Sequence, residues 1–198
     1  MPVYEFEGIT PVVDPTAFVH PTAVLIGDVV IGPGCLIGPG ASLRGDLGRI
    51  IINKGSNIQD GCIAHSFPSK DVIVEENGHV GHGAILHGCT IKRNALVGMN
   101  AVIMDDAVIG EDSFVAALAF VKAGMQVPPR TLVGGIPAKV MRDLKEDEID
   151  WKSVGTGHYQ HLAKRYLATS REVQPLTEIE PDRKRVPELV YKPKHEQG

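Results

Sequence analysis

The sequence has no strong excess of charge of either sign: 20 Lys and Arg stand against 24 Asp and Glu, a formal net charge of −4. Nothing in that balance implies a nucleic-acid partner. Long apolar runs are missing too. No stretch approaches the roughly 18 residues of a membrane span, and the first eight residues, MPVYEFEG, carry neither a basic cluster nor a signal-peptide core. The expected setting is cytoplasmic, with no membrane partner. Cysteine is scarce: Cys35, Cys62 and Cys89 are an odd number without an export signal, which argues against a disulfide framework. Aromatic residues make up only 5% of the chain, whereas glycine occurs 22 times.

The glycines belong to a repeat. A branched or aliphatic residue recurs about every six positions: Val19, Leu25 or Ile26, Ile31, Ile37, Leu43, then Ile52, Ile58, Ala64, Val74, Val80, Leu86, Ile91, Val97, Ile103, Ile109, Val115 and Val121. A helix needs apolar residues every three or four positions and tolerates little of the glycine and proline in segments such as VIGPGC and LIGPGA. A six-residue unit instead supplies one short strand and one turn. Three units turning by about 120° each close a triangular coil of about 18 residues, and stacked coils bury the aliphatic column. Periodicity therefore predicts an all-β parallel prism over residues 1–125, including an N-terminal cap.

Two irregularities interrupt the period. The step from Leu43 to Ile52 is nine and carries Arg44 and Asp46; the step from Ala64 to Val74 is ten, with the extra residues around Ser66 to Asp71. The second reads as a corner loop that leaves the stack in register, and the first as a smaller slip. After Gly124 the repeat is expected to stop. Residues 126–198 then form a connector in which Pro137 suits the first turn of a helix, two helical pieces over about 146–154 and 156–173, and an extended end punctuated by Pro175, Pro181, Pro187 and Pro193. Leu162 with Tyr166, and Ala163 with Leu167, give the helical part an apolar stripe suited to lie along a prism face.

Register decides where the histidines point. His65 follows Ala64 and His87 follows Leu86, and their spacing of 22 is one coil of 18 plus the four inserted residues. The two imidazoles should stack on one face at about 4.8 Å, the strand spacing. His82 belongs elsewhere on the triangle and would join them only from a second subunit. Register alone leaves two readings open: a shared metal ion, or ordinary surface histidines. Cys35 and Cys62 fall at inward small positions and read as packed thiols rather than ligands or nucleophiles. His158 and His161 share a helix face without a third ligand, His79 and His20 read as outside any ligand set, and Arg183-Lys184-Arg185 reads as a solvated basic run.

The combination Gln59-Asp60-Gly61-x3-His65 and Gly81-His82-x4-His87-Gly88, preceded by Leu43-Arg44-Gly45-Asp46, resembles the γ-class carbonic anhydrase-like branch of the hexapeptide-repeat proteins. That resemblance implies a left-handed parallel β-helix with a C-terminal α-helical tail and a homotrimer with Zn2+ between subunits, Fe2+ or Co2+ also being suited. It implies His65 and His87 from one chain and His82 from the next as the metal ligands. Gln59 and Asp60 would be the polar pair beside the metal, and Arg44 and Asp46 the pair at the subunit boundary. The acidic insertion that supplies a glutamate shuttle in the fast members has no counterpart, since Asp46 runs straight into Leu47-Gly48-Arg49; rapid CO2 hydration is therefore not expected.

Over its full length, from Tyr4-x-Phe6-x-Gly8 and Phe18-Val19-His20-Pro21-Thr22-Ala23-Val24-Leu25-Ile26-Gly27-Asp28 to Trp151-Lys152 and Gln174-Pro175-Leu176, the chain resembles the phenylacetate-degradation members of this branch, with the carnitine-operon members a near second. The first resemblance implies a metal-dependent thioesterase acting on a CoA thioester. Carbonic anhydrase activity, a CoA-dependent acyltransferase and a non-enzymatic trimeric scaffold are the alternatives.

Overall fold

The structure is a computed structural model that describes residues 2–186. It is a left-handed β-solenoid of about seven turns carrying one long helix, α1 (Glu146–Thr169). Most strands are two or three residues long, because each turn residue arrives before a longer strand can form. Parallel pairing between coils makes three faces.

One face stacks Phe18–Val19, Leu36–Ile37, Asn57–Ile58, His79–Val80, Leu96–Val97, Phe114–Val115 and Thr131–Gly135, and α1 lies against its first three strands. The next, hereafter the histidine face, stacks Ile63–His65, Ile85–His87, Val102–Ile103 and Phe120–Val121; the third stacks Val72–Val74, Thr90–Ile91, Val108–Ile109 and Gln126–Val127. In the first coils the long strands Val24–Ile31 and Ser42–Ile52 run around the corner between these last two. The expected aliphatic column is the core: Leu43, Ala64, Leu86, Ile103 and Val121 stack on the histidine face and are buried, as are their counterparts on the other two. Each leucine, isoleucine or valine of the column contributes about 1.5–3 kcal/mol of apolar burial, and Ala64 less.

Both insertions keep register and pack on each other. Ser42–Leu43 pairs with Ile63–Ala64, and Ile50–Ile52 with Val72–Val74, so the residues between them bulge from one corner. Gly48 has to be glycine, since a Cβ there would collide with the Lys70 carbonyl of the insertion above. Arg49 N donates to Asp71 Oδ1 at 3.0 Å, and Lys70 pairs with Asp106 at 2.6 Å.

Three expectations for the C-terminal part are corrected. The prism does not end at 125, because Gln126–Val127 and Thr131–Gly135 continue two of the faces. Pro137 starts no helix: it follows Ile136 in the turn of an antiparallel hairpin between Thr131–Gly135 and Ala138–Asp143. The two helical pieces are one helix that runs through Gly155, since glycine in a helix costs only about 1 kcal/mol and the buried Lys152, Gly155 and Thr156 are held on the prism. Part of the expected apolar stripe lies along a prism face: Leu162 and Ala163 pack with Tyr159 against Phe18 and Leu36, and Tyr166 stacks on Phe18, whereas Leu167 is 51% exposed. Residues 170–186 form no further helix and are exposed. Pro187 and Pro193 lie outside the described residues.

Candidate functional site

His87 pairs with His65 across adjacent strands of the histidine face, as the spacing of 22 requires. Their ring centroids are 5.3 Å apart. A carboxylate holds each ring: His87 Nδ1 lies 2.8 Å from Asp105 Oδ1, and His65 Nε2 lies 3.1 Å from Asp46 Oδ1. Asp46 is in turn gripped by Arg44 Nη1 at 2.7 Å. Burial works to raise the Asp46 pKa, but the Arg44 hydrogen bond and charge, with His65 behind them, hold it below the ordinary carboxylate value. Arg44 and Asp46 thus pair within one chain and belong to the histidine site. Phe67, from the insertion, stands edge-on to His87 at 5.2 Å.

His82 sits at the corner turn between the helix-covered face and the histidine face, one position later than a strand placement allows. Asp60 occupies the equivalent corner of the coil below, and the two meet at 2.7 Å between His82 Nδ1 and Asp60 Oδ2. Further up the same corner stand Met99, 53% exposed, and Leu118, 65% exposed and held at φ 62°. Within one chain His82 does not join His65 and His87, and among the described residues no three metal-binding side chains converge.

Gln59 turns the other way. Its Nε2 donates to Asn57 Oδ1 at 3.0 Å and lies 2.8 Å from His79 Nε2, buried beneath α1. Burial, then the Lys152 charge, pulls the His79 pKa down to about 3, so that ring is neutral near pH 7. The three thiols are buried and free, their pKa values pushed by burial to about 11 for Cys35 and Cys62 and about 12 for Cys89. None is an activated nucleophile. His20 contacts Thr22, and Arg183 pairs with Glu180. Sequence reasoning passed over Asp105, which lies 18 residues after His87, one coil on.

The chain matches a family model described as bacterial transferase hexapeptide (six repeats), over residues 10–45 and 88–123. It is 59% identical over 186 residues to the carnitine operon protein CaiE of Citrobacter koseri, covering 94% of both chains. The Escherichia coli O157:H7 CaiE is equally similar, at 59% over 94% of this chain and 95% of that one. The chain belongs to the hexapeptide-repeat CaiE family. Solved structures share this prism. One from Bacillus cereus superposes with a TM-score of 0.83 at 35% identity, covering 84% of this chain and 96% of that one. A hexapeptide transferase family protein from Anaplasma phagocytophilum gives 0.80 at 38%, covering 83% and 98%.

Two of the three imidazoles expected to hold a metal ion are brought together. They stand one coil apart on one face, and each is oriented by a carboxylate on one ring nitrogen, as metal-binding histidines commonly are. Nitrogen donors suit zinc, and also iron or cobalt. Asp105 leaves His87 Nε2 free, whereas Asp46 takes His65 Nε2 and leaves Nδ1.

Proposed function

We propose that the protein is a self-associating, metal-dependent enzyme acting on CoA thioesters with water as the acceptor. The observation that carries this reading is the register of His65 and His87, each ring held by its own aspartate. His82 supports it: it sits exposed on a corner whose neighbours Met99 and Leu118 are exposed and apolar, the character of a surface that another copy covers. In a symmetric trimer that copy would bring His82 to the pair.

When bound, the ion supplies Lewis-acid activation of water and of the thioester carbonyl. The chain's own residues do the rest. Asp105 fixes the tautomer of His87, Arg44 fixes Asp46 and through it His65, and Asp60 orients His82. Phe67 shields the outer edge of His87. Gln59 acts from behind, holding the neutral His79 under α1 rather than a water at the site.

A second reading has its own support. The family model and the Anaplasma structure carry transferase names, and on family likeness alone acyl transfer from CoA to another acceptor is better backed than hydrolysis. His82, exposed and paired with Asp60, is then the general base, with no metal required.

One experiment separates the readings: release of CoA from an acyl-CoA panel, with and without an amine acceptor, before and after chelation. Release that needs metal but no acceptor supports the hydrolase. Release that needs the acceptor and survives chelation supports the transferase. No release in any condition leaves the scaffold, or carbonic anhydrase if the same preparation hydrates CO2.

A further inference from the structure

The two aspartates beside the histidine pair come from opposite directions and take different nitrogens. Asp105 belongs to the coil above His87, and its Oδ1 lies 2.8 Å from His87 Nδ1, the nitrogen next to the side-chain stem. Gly88 leaves the way open, since a Cβ there would stand 2.5 Å from that same oxygen. Asp46 belongs to the coil below His65, and its Oδ1 lies 3.1 Å from His65 Nε2, at the far end of the ring. The stack along this face runs Asp46, His65, His87, Asp105, and its two ends differ.

The difference decides which nitrogen each ring can offer. In a neutral imidazole one nitrogen carries the proton and only the other has a lone pair to give. With Asp105 accepting from Nδ1, His87 offers its outer nitrogen. With Asp46 accepting from Nε2, His65 offers only the inner one, beside its own strand.

We propose that Asp46 competes with a metal ion for His65 Nε2: it orients the ring by occupying the nitrogen through which His65 would share an ion with His87, and loading displaces it. The proposal rests on the metal reading above and adds the residue that opposes loading. Side chains on paired parallel strands project alike, so the outer nitrogens of His65 and His87 reach the same height above the face. An ion at about 2.0–2.1 Å from each stands clear of the backbone there. Asp46 also has an independent partner, because Arg44 Nη1 donates to its Oδ2 at 2.7 Å while His65 uses Oδ1. The carboxylate stays paired when His65 leaves. At 3.1 Å the His65 contact is the longest of the three and lies outside the roughly 2.7–2.9 Å of a charge-assisted bond, so it is the one that yields. Release is neutral in protons: His65 gives up the proton on Nε2 and takes one from solvent on Nδ1.

The test reads zinc affinity and ring tautomers in the full chain after chelation. Asp46→Asn is made together with Arg44→Gln, so that one charge of each sign is removed and the local net charge is unchanged. The double variant should bind zinc at least threefold more tightly than the wild type, whereas Asp105→Asn should bind it more weakly. A smaller gain, or a loss, in the double variant overturns the proposal. NMR spectra of the wild type labelled at the histidine ring nitrogens, taken above the imidazole titration range, cover the case in which the variant fails to fold. The chelated protein should carry the His65 proton on Nε2 and the zinc-loaded protein on Nδ1, while His87 keeps its proton on Nδ1 in both. A His65 proton that stays on Nε2 with zinc bound makes Asp46 an orienting residue like Asp105 and overturns the proposal too. Zinc binding with the wrong tautomer or the wrong order of affinities ends the proposal alone; no zinc binding by the wild type or any variant ends the metal reading with it.

Discussion

Lys152 reaches out of α1 and donates from Nζ to Asn94 Oδ1 at 2.7 Å, with a second bond to Asn77 O at 2.7 Å. The side chain is 1% exposed, and Asn94 passes the network on to Asp112 and Ser153. This buried contact pins the helix to one corner of the prism in two successive coils.

Burial lowers the Lys152 pKa from 10.5 to about 7. A base depressed in the folded state holds fewer protons there than in the unfolded chain between pH 7 and 10.5, so this group's contribution to stability rises with pH across that window. The gap is on the order of 5 kcal/mol. Thermal unfolding of the wild type and of Lys152→Met should show the wild type gaining relative to the variant between pH 7 and 10. A constant difference would show that Lys152 does not titrate in that range.

His65→Ala, His87→Ala and His82→Ala should each remove bound metal, and Cys62→Ala should leave it in place. Losing one of three neutral imidazoles weakens the site. Asp105→Asn should weaken metal binding by roughly 10- to 100-fold without emptying it, as expected of a residue that only orients a ligand. Elemental analysis of the purified variants, followed by zinc titration, measures both. A full metal complement in all three histidine variants would end the metal reading.

Leu118→Asp should dissociate the assembly and take the metal with it. The substitution places a charge on the exposed apolar corner above His82 and leaves the core column intact. Sedimentation and metal content are read on the same sample. A stable monomer that keeps its metal would show that His82 is not a shared ligand.

Hydration of CO2 should be slow beside thioester hydrolysis. The loop after Asp46 carries no glutamate, and the stacked insertion above it supplies Ser66, Phe67, Ser69 and Lys70. Stopped-flow hydration and CoA release, measured on one preparation, give the ratio. Fast hydration without thioester turnover would favour the carbonic anhydrase alternative.

The prism was legible because a six-residue period admits one geometry, and the same arithmetic placed His87 over His65 once the four extra residues were counted. Asp105 was legible by that arithmetic too, since it follows His87 by one coil, but an aspartate at a turn carries no signal of its own. What lay beyond reach was tertiary. Gly155 looked like a helix break because local propensity says nothing of Lys152 and Thr156 being anchored on the prism. Pro137 looked like a helix start because a hairpin turn accepts proline equally well. The family resemblance implied Gln59 beside the metal, yet adjacent residues point to opposite sides of a strand and turn, and its amide lies under the helix.

Asp46 to Arg49 and Ser66 to Asp71 lengthen two coils at one corner without shifting a single inward residue. The wall beside His65 and His87 is thereby uncoupled from the foundation beneath it. Residues can be added to or cut from that wall while every rung of the core stays where it is. Proteins built on the same prism can thus differ in what they admit to the histidines through loop length alone, and engineering of this site can begin at the two loops without touching the coils.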